Sequence, residues 1–448
     1  MEGSHSMFRH KYLYRLSTFR IILLSFAGAI LTGALLLCLP FARRGAPVSF
    51  LDALFTATSA VCVTGLVVRD TYLGWSIFGR IVIISLIQVG GMGVVTIAIL
   101  LAIVSGKKIS LRQRTLLKDA ISEDRVGGIL RLTSFILRFT LFCELAGTLL
   151  MLPVFSGTYG IRRGLGYAVF HSISAFCNAG FDLSGGRSPY SSLTWYVSNP
   201  LMNLTIMGLI VTGGLGFGVI ADIGHQKLKM HRYRLQTKVV LFQTAVLILL
   251  PALYFFLFEC KTGPVGTRLL ESFFQSVTTR TAGFNTIDLT KLSDSGIMLM
   301  IILMLIGGAP GSTAGGMKTT TFFVLLASTF AVFGSKRSAS VFHRRISAET
   351  IRKAAALFMT YITLFLLAAM VISRLEGLPL LTCMFETASA IGTVGLTLGI
   401  TPQLGAVSHL ILIFLMFFGR VGCLTLIFAA IRGHQETGLY PEEDLAIG

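Results

Sequence analysis

Four segments of this 448-residue chain superimpose on one another without gaps: Phe55 to Gly65, Phe170 to Gly180, Phe273 to Gly283 and Phe385 to Gly395. Each places a Phe ten residues before a Gly, fills the interval with small and hydroxyl residues, and follows the Gly with a large apolar side chain (Leu66, Phe181, Phe284, Leu396). The glycines recur at intervals of 115, 103 and 112 residues. Self-similarity at a fixed period means that one structural unit is repeated, so the fold must be assembled from four copies of it.

Each copy is flanked by long apolar windows, among them Ile21–Leu39, Ile81–Val104, Leu241–Phe258 and Leu357–Ile372. Roughly 20 such residues span a 30 Å hydrocarbon core, so the windows read as transmembrane helices. Composition agrees: 54% of the residues are hydrophobic and 13% charged, against roughly 45–50% and about 25% in soluble domains. The segment between Phe and Gly is too short to cross. It reads as a half-helix that enters the membrane and returns, beginning at Asp52 in the first copy, near Thr267–Glu271 in the third and at Thr382 in the fourth; these are polar or acidic residues suited to a helix N-terminus. The expected fold is all-α and polytopic: four membrane–pore–membrane repeats around a pseudo-fourfold pore, with eight transmembrane helices and four re-entrant loops.

The net charge of +18 is collected between the apolar blocks. Arg9, Lys11 and Arg15 precede the first span; Lys107, Lys108, Arg112, Arg114 and Lys118 follow the first repeat; Lys227, Lys229, Arg232 and Arg234 follow the second; Lys336, Arg337, Arg344 and Arg345 follow the third. The positive-inside rule puts all of them, and both termini, in the cytoplasm. That is where a unit crossing twice must place its linkers, and the half-helices then enter from outside. Nucleic acid binding is excluded, because the clusters alternate with spans and lack interleaved aromatic platforms. The expected division is a cloning remnant at 1–6, a cytoplasmic N-terminus at 7–18, repeats at 19–105, 131–225, 237–334 and 351–432, cytoplasmic linkers at 106–130, 226–236 and 335–350, and a cytoplasmic tail at 433–448 carrying acidic Glu442–Asp444. A basic segment running directly into the first span favours a bacterial plasma membrane. Seven cysteines with no CxxC spacing indicate neither a disulfide framework nor a zinc site.

Non-helical backbone at membrane depth survives only where it is buried in protein or lines water. The carbonyls of such loops can replace the hydration shell of a cation, as the four TVGYG loops of potassium channels do. Here one chain supplies all four: Val63-Thr64-Gly65, Asn178-Ala179-Gly180, Thr281-Ala282-Gly283 and Thr393-Val394-Gly395. Glycine tolerates the backbone angles and brings no Cβ into the lumen. The permeant ion expected is potassium, with sodium as a second candidate. These residues resemble the Trk/Ktr/HKT superfamily of potassium transporters, and four repeats without an additional N-terminal hairpin are most similar to KtrB-type membrane subunits of bacterial Ktr systems. The resemblance implies a homodimer with one pore per protomer, and a cytoplasmic KtrA-type ring binding ATP or ADP. In the family a Ser in the first loop goes with sodium selectivity; Gly65 therefore favours potassium.

A second feature follows the third loop: Gly307, Gly308, Ala309, Pro310, Gly311, Ser312, Thr313, Ala314, Gly315 and Gly316. A helix through these residues forfeits roughly 8 kcal/mol against alanine, so it should break, as helices lining a water-filled path do. Gly307 lies 24 residues after its loop glycine, and Gly90 and Gly419 lie 25 and 24 after theirs. The broken segment therefore sits beneath the filter, where a movable gate is expected; the resemblance assigns it that role too. For Gly90 and Gly213 the plainer reading is close helix packing. Arg420, beside Gly419, can hold the loop's carbonyls and raise a barrier to cations; the alternative is a structural ion pair. Lys318 joins that barrier or snorkels to the cytoplasm. Arg280 is expected behind the third loop, paired with Glu271 or Glu386. Glu144 is expected inside the bundle, and His171 as a satisfied packing residue. Glu259, Asp288 and Asp294 read as solvated surface.

The competing class is an ion-coupled secondary transporter, but those folds often show two inverted repeats rather than four parallel ones. An enzyme is excluded by the lack of HExxH, GxSxG and comparable clusters, and no organic cofactor is expected. Nor is there a P-loop, so nucleotide control would need another subunit.

Overall fold

A computed structural model of the chain describes residues 18–93, 96, 129–227 and 229–422. The clusters around Arg9 and Lys107, residues 1–6, Cys423 and Glu442–Asp444 lie outside them. The protein is a mostly helical, polytopic membrane protein. The first repeat runs α1 (Thr18–Leu37), α2 (Phe50–Val61), the short α3 (Thr71–Gly74) and α4 (Ile77–Met92). The second has α5 (Ile129–Tyr159), α6 (Ile161–Phe176), α7 (Pro200–Gly214) and α8 (Phe217–Gln226). The third has α9 (Leu235–Tyr254), α10 (Val265–Thr278), α11 (Asp294–Leu305) and α12 (Thr319–Phe333). A two-stranded hairpin, β1 (Ser340–Val341) against β2 (Arg344–Arg345), precedes the fourth, which has α13 (Ala348–Glu376), α14 (Leu380–Gly392) and α15 (Ala406–Val421).

Burial is inverted relative to a water-soluble protein. Leu35, Phe142, Phe330 and Phe333 stand outward at 63%, 68%, 69% and 78% exposure, while Ser59, Ser174, Thr278 and Ser389 are fully buried. Such a surface suits lipid, and the buried hydroxyls suit a polar axis. Among the described residues four helical spans are long and apolar enough to cross a membrane: Phe19–Leu37, Leu132–Tyr159, Leu235–Glu259 and Ala348–Glu376, the first of each repeat. The second apolar windows of the first and fourth repeats run into residues outside the described ones, at 94–95, 97–128 and 423–448. The second helices are interrupted: α7 and α8 meet at 95°, α11 stops after Leu305, and α4 and α15 stop at Gly93 (φ 86°) and Gly422 (φ 88°).

The short helices begin earlier than the sequence suggested. Ser49 caps α2 by accepting from the Asp52 amide at 3.0 Å, so Asp52 lies inside the first turn, where its charge still complements the dipole. Pro264 precedes α10 and Pro379 precedes α14, because fixed φ starts a helix without a side-chain cap. Within each repeat the long helix packs on the short one: α1 on α2, α5 on α6, α9 on α10, α13 on α14. Between repeats the second helix packs on the next repeat's short helix: α4 on α6, α7 on α10, α11 on α14, α15 on α2. That last contact closes the circle.

Candidate functional site

Each short helix ends in a turn of the same shape. Val63, Asn178, Thr281 and Thr393 all take the left-handed conformation, with φ of 57°, 59°, 64° and 51°. Three of these are β-branched, for which positive φ is an outlier, and strain of this kind amounts to roughly 1–3 kcal/mol per residue. Two residues on, Gly65, Gly180, Gly283 and Gly395 take φ of 93°, 68°, 81° and 96°. Fourfold repetition of one unfavourable geometry requires the surrounding packing to hold it.

The four turns meet. A Cβ on Gly180 would lie 2.7 Å from the Ala282 carbonyl oxygen and 2.9 Å from the α-carbon of Gly283. One on Gly65 would overlap the Ala179 oxygen, one on Gly283 the Val394 oxygen, and one on Gly395 the Thr64 oxygen. The carbonyl before each glycine thus lies against the glycine of the adjoining repeat, in a closed cycle that admits no side chain. Hydroxyls of the short helices support it. The amides of Gly65 and Gly395 donate to Ser59 and Ser389 Oγ, both at 3.0 Å. Ser174 Oγ donates to the Phe181 carbonyl at 2.7 Å, and Thr278 Oγ1 to that of Phe284.

Directly below, the chain between α11 and α12 is irregular. A bridge between Ile306 and Met317 pinches the loop at its base, and Gly307 N donates to Met317 O at 2.7 Å. The loop reaches three neighbours. Ala309 N donates to Gly214 O (3.0 Å), Thr313 N to Gly213 O (3.2 Å) and Gly316 N to Gly419 O (3.1 Å). Thr313 Oγ1 donates to Phe176 O, the carbonyl at the end of α6, at 3.0 Å. Arg420 ties the assembly together by donating to the carbonyls of Thr313, Gly90 and Gly91, the last at 3.1 Å. Of the alternatives for Arg420, the carbonyl-holding arrangement is the one observed. Lys318 Nζ turns back to the Ala314 carbonyl at 2.8 Å instead of extending away.

The remaining residues divide. His171 is a packing residue: Nδ1 donates to Tyr167 O at 2.8 Å, Nε2 accepts from Leu183 N at 3.4 Å, and its ring lies 4.9 Å from that of Phe155. Glu144 is buried in the bundle, where its own carbonyl accepts from Ser172 Oγ at 2.6 Å. Arg280 does not pair with Glu271 or Glu386. It stands two residues past the end of α10, and its Nη2 donates to Thr244 Oγ1 of α9 at 3.2 Å instead. Glu259 accepts from the Ser293 amide at 3.1 Å, and Asp288 accepts from Thr290 and pairs with Lys291 at 3.5 Å.

The sequence reading missed where the second helices break. Gly90, Gly213 and Gly419 are packing positions, each against the last turn of its own short helix, at Val61, Phe176 and Ile391. The breaks fall three residues later, at Gly93, Gly216 and Gly422, all at φ near 88°. The common spacing Gly-x-x-Gly was the available signal.

With this geometry in view, comparison with known proteins decides the family. The profile described as "TrkH: Cation transport protein" matches residues 20–437. The chain belongs to the TrkH family of cation transport proteins. Potassium/sodium uptake protein NtpJ of Enterococcus hirae is 40% identical over 97% of this chain and 98% of its own length. Ktr system potassium uptake protein B of Bacillus subtilis is 38% identical, over 96% of each chain. Among solved structures, the potassium transporter TrkH of Vibrio parahaemolyticus matches with a TM-score of 0.71, covering 92% of this chain and 85% of that one at 18% identity; it bears on the fold alone. TrkH-family proteins move cations and are not enzymes.

Proposed function

We propose that this TrkH-family chain takes up potassium across the bacterial plasma membrane through a channel-like pore. The four glycine turns are its selectivity filter, and residues Gly307 to Lys318 with Arg420 are its gate. The observation that carries this reading is the closed cycle of carbonyls from Thr64, Ala179, Ala282 and Val394 against the four glycines. Backbone oxygens converging from four equivalent turns stand in for the water of a dehydrated ion without presenting a charge. The four units are membrane–pore–membrane repeats with the boundaries given above, both termini lie in the cytoplasm, and the axis through the filter is the conduction path. Relatives named as potassium uptake proteins support the choice of ion, and the potassium/sodium uptake relative supports sodium as a second permeant or modulating ion.

The gate loop obstructs that path at the level of Phe176 and Thr393 and is held by hydrogen bonds that can be exchanged for water. Its cytoplasmic control fits the local architecture: a pocket of 430 Å³ is lined by Pro310 of the loop, by Leu235 of the second linker and by Val341, Arg345 and Ser347 of the third. Displacement of these linkers by a KtrA-type nucleotide-binding ring beneath a homodimer would reach the loop through Pro310. Purified protein in proteoliposomes tests the reading. Rubidium flux that reverses at the ion's equilibrium potential supports the pore; reversal displaced by an opposing sodium gradient supports coupled transport instead.

A further inference from the structure

Behind the cycle of glycines, each repeat ties its short helix to the chain leaving the filter, and each uses different chemistry. In the first, Arg69 Nε donates to Asp52 Oδ2 at 3.0 Å. In the second, the Leu183 amide donates to His171 Nε2. In the third, Gln275 Nε2 donates to Thr286 Oγ1 at 3.3 Å. In the fourth, Glu386 takes two hydroxyls: Thr397 Oγ1 donates to Oε2 at 2.9 Å and Thr401 Oγ1 donates to Oε1. Glu386 and Thr401 are fully buried, and among the described residues no cation pairs with Glu386.

A carboxylate in such a place is retained only if both oxygens are satisfied. Thr397 lies two residues beyond Gly395, so the bond fixes the outer end of the fourth turn. The clamp extends further. The Gly399 amide donates to Thr397 Oγ1 at 3.0 Å, and His409 of α15 donates through Nε2 to the Thr401 carbonyl at 2.8 Å. The His409 ring in turn packs on Phe55 of α2 at 5.2 Å between centroids. One buried acid therefore joins the fourth short helix, its outgoing loop, α15 and the first short helix. That places it at the seam where the cycle closes, between Gly395 and Gly65.

We propose that Glu386 is a positioning residue for ion discrimination: by clamping Thr397 and Thr401 it fixes Gly395 relative to Gly65 and Gly283, and so sets how sharply the filter distinguishes potassium from sodium. This rests on the filter reading above. A ring of carbonyls discriminates only as far as its dimensions and the number of oxygens are held. Loosening one quarter admits the smaller ion without closing the path. The amide of Glu386→Gln keeps one acceptor and exchanges the other for a donor, and it loses the charge that strengthens both bonds.

The test uses the full-length protein in proteoliposomes, with the potassium-to-sodium permeability ratio and rubidium uptake measured on Glu386→Gln, Thr397→Val, Thr397→Ser, the double variant Glu386→Gln/Thr397→Val and Gly395→Ser. Glu386→Gln and Thr397→Val should each lower the ratio by about tenfold, as expected for losing one charge-assisted hydrogen bond. The double variant should fall no further than Glu386→Gln alone, because the Thr397 bond is one of the two that the Glu386 change weakens, and Thr397→Ser should keep the ratio. Thr397→Val retains the side-chain volume and so reports on the clamp even if the Glu386 variant fails to insert. An unchanged ratio in Thr397→Val alongside a changed one in Gly395→Ser overturns the positioning role and leaves the filter intact. An unchanged ratio in Gly395→Ser as well overturns the filter itself. Additive losses in the double variant also overturn the clamp.

Discussion

Arg420 of the fourth repeat donates a hydrogen bond to the carbonyl of Thr313, in the middle of the broken helix of the third. The same guanidinium reaches Gly90 and Gly91 of the first repeat, while Thr313 itself reaches Phe176 of the second. Four repeats are thus joined at one point beneath the glycine cycle, through bonds made by two side chains, Arg420 and Thr313.

Replacing Arg420 should release that point. Each charge-assisted hydrogen bond contributes about 1.5–3 kcal/mol, and a shift of 1.4 kcal/mol is a factor of about ten. Arg420→Ala should therefore raise basal rubidium flux by about tenfold or more. Arg420→Lys should restore closure only in part, since one ammonium cannot span three carbonyls as a fork does. Flux into proteoliposomes, normalised to inserted protein, is the measurement.

Removing Ala309–Gly316 should have the same direction as Arg420→Ala and a larger size, because the obstruction itself is lost. The Ile306–Met317 bridge brackets the deleted stretch, so its ends are already adjacent. Equal or lower flux from folded, inserted protein would remove the gate assignment.

Gly65→Ser should admit sodium. The Cβ would overlap the Ala179 oxygen, and φ of 93° resists any L side chain, a strain of roughly 1–3 kcal/mol. The neighbouring turn must move outward to accommodate it. A lower potassium-to-sodium permeability ratio, with a modest fall in melting temperature, is the expected pair of results.

Asp182, two residues beyond Gly180 in the outer loop, should make uptake sensitive to external pH. Burial pushes its carboxyl up to about 6; the Ser184 amide opposes the shift and the negative field of Asp70 adds to it. The acid is therefore neutral below about pH 6 and gains a negative charge above it, which concentrates cations at the mouth. Rubidium uptake at low substrate concentration should rise between external pH 5 and 7, and Asp182→Asn should abolish that rise.

The four glycine turns were legible because glycine at positive φ leaves its mark on residue identity four times over. The strain two residues earlier was not: Val63 and Thr393 are β-branched residues whose propensity argues against the conformation they adopt, and packing overrides it. The broken third helix was legible from Pro310 and its glycines. Close packing at Gly90 and Gly213 was legible too, but the turning glycines three residues on, Gly93 and Gly216, were not. Charge pattern alone offers Arg280 an acidic partner, whereas in the structure its Nη2 donates to the Thr244 hydroxyl, a pairing that no charge pattern reveals. The clamps behind the filter were hidden for the same reason, being built from four different chemistries at nearly the same position.

On the proposed reading, one chain surrounds a dehydrated cation with carbonyls from four equivalent turns. Anomalous diffraction from crystals soaked in rubidium tests it most directly. Density is expected on the common axis, within the cycle of Gly65, Gly180, Gly283 and Gly395. Rubidium bound elsewhere, with that axis vacant at saturating concentration, would contradict it.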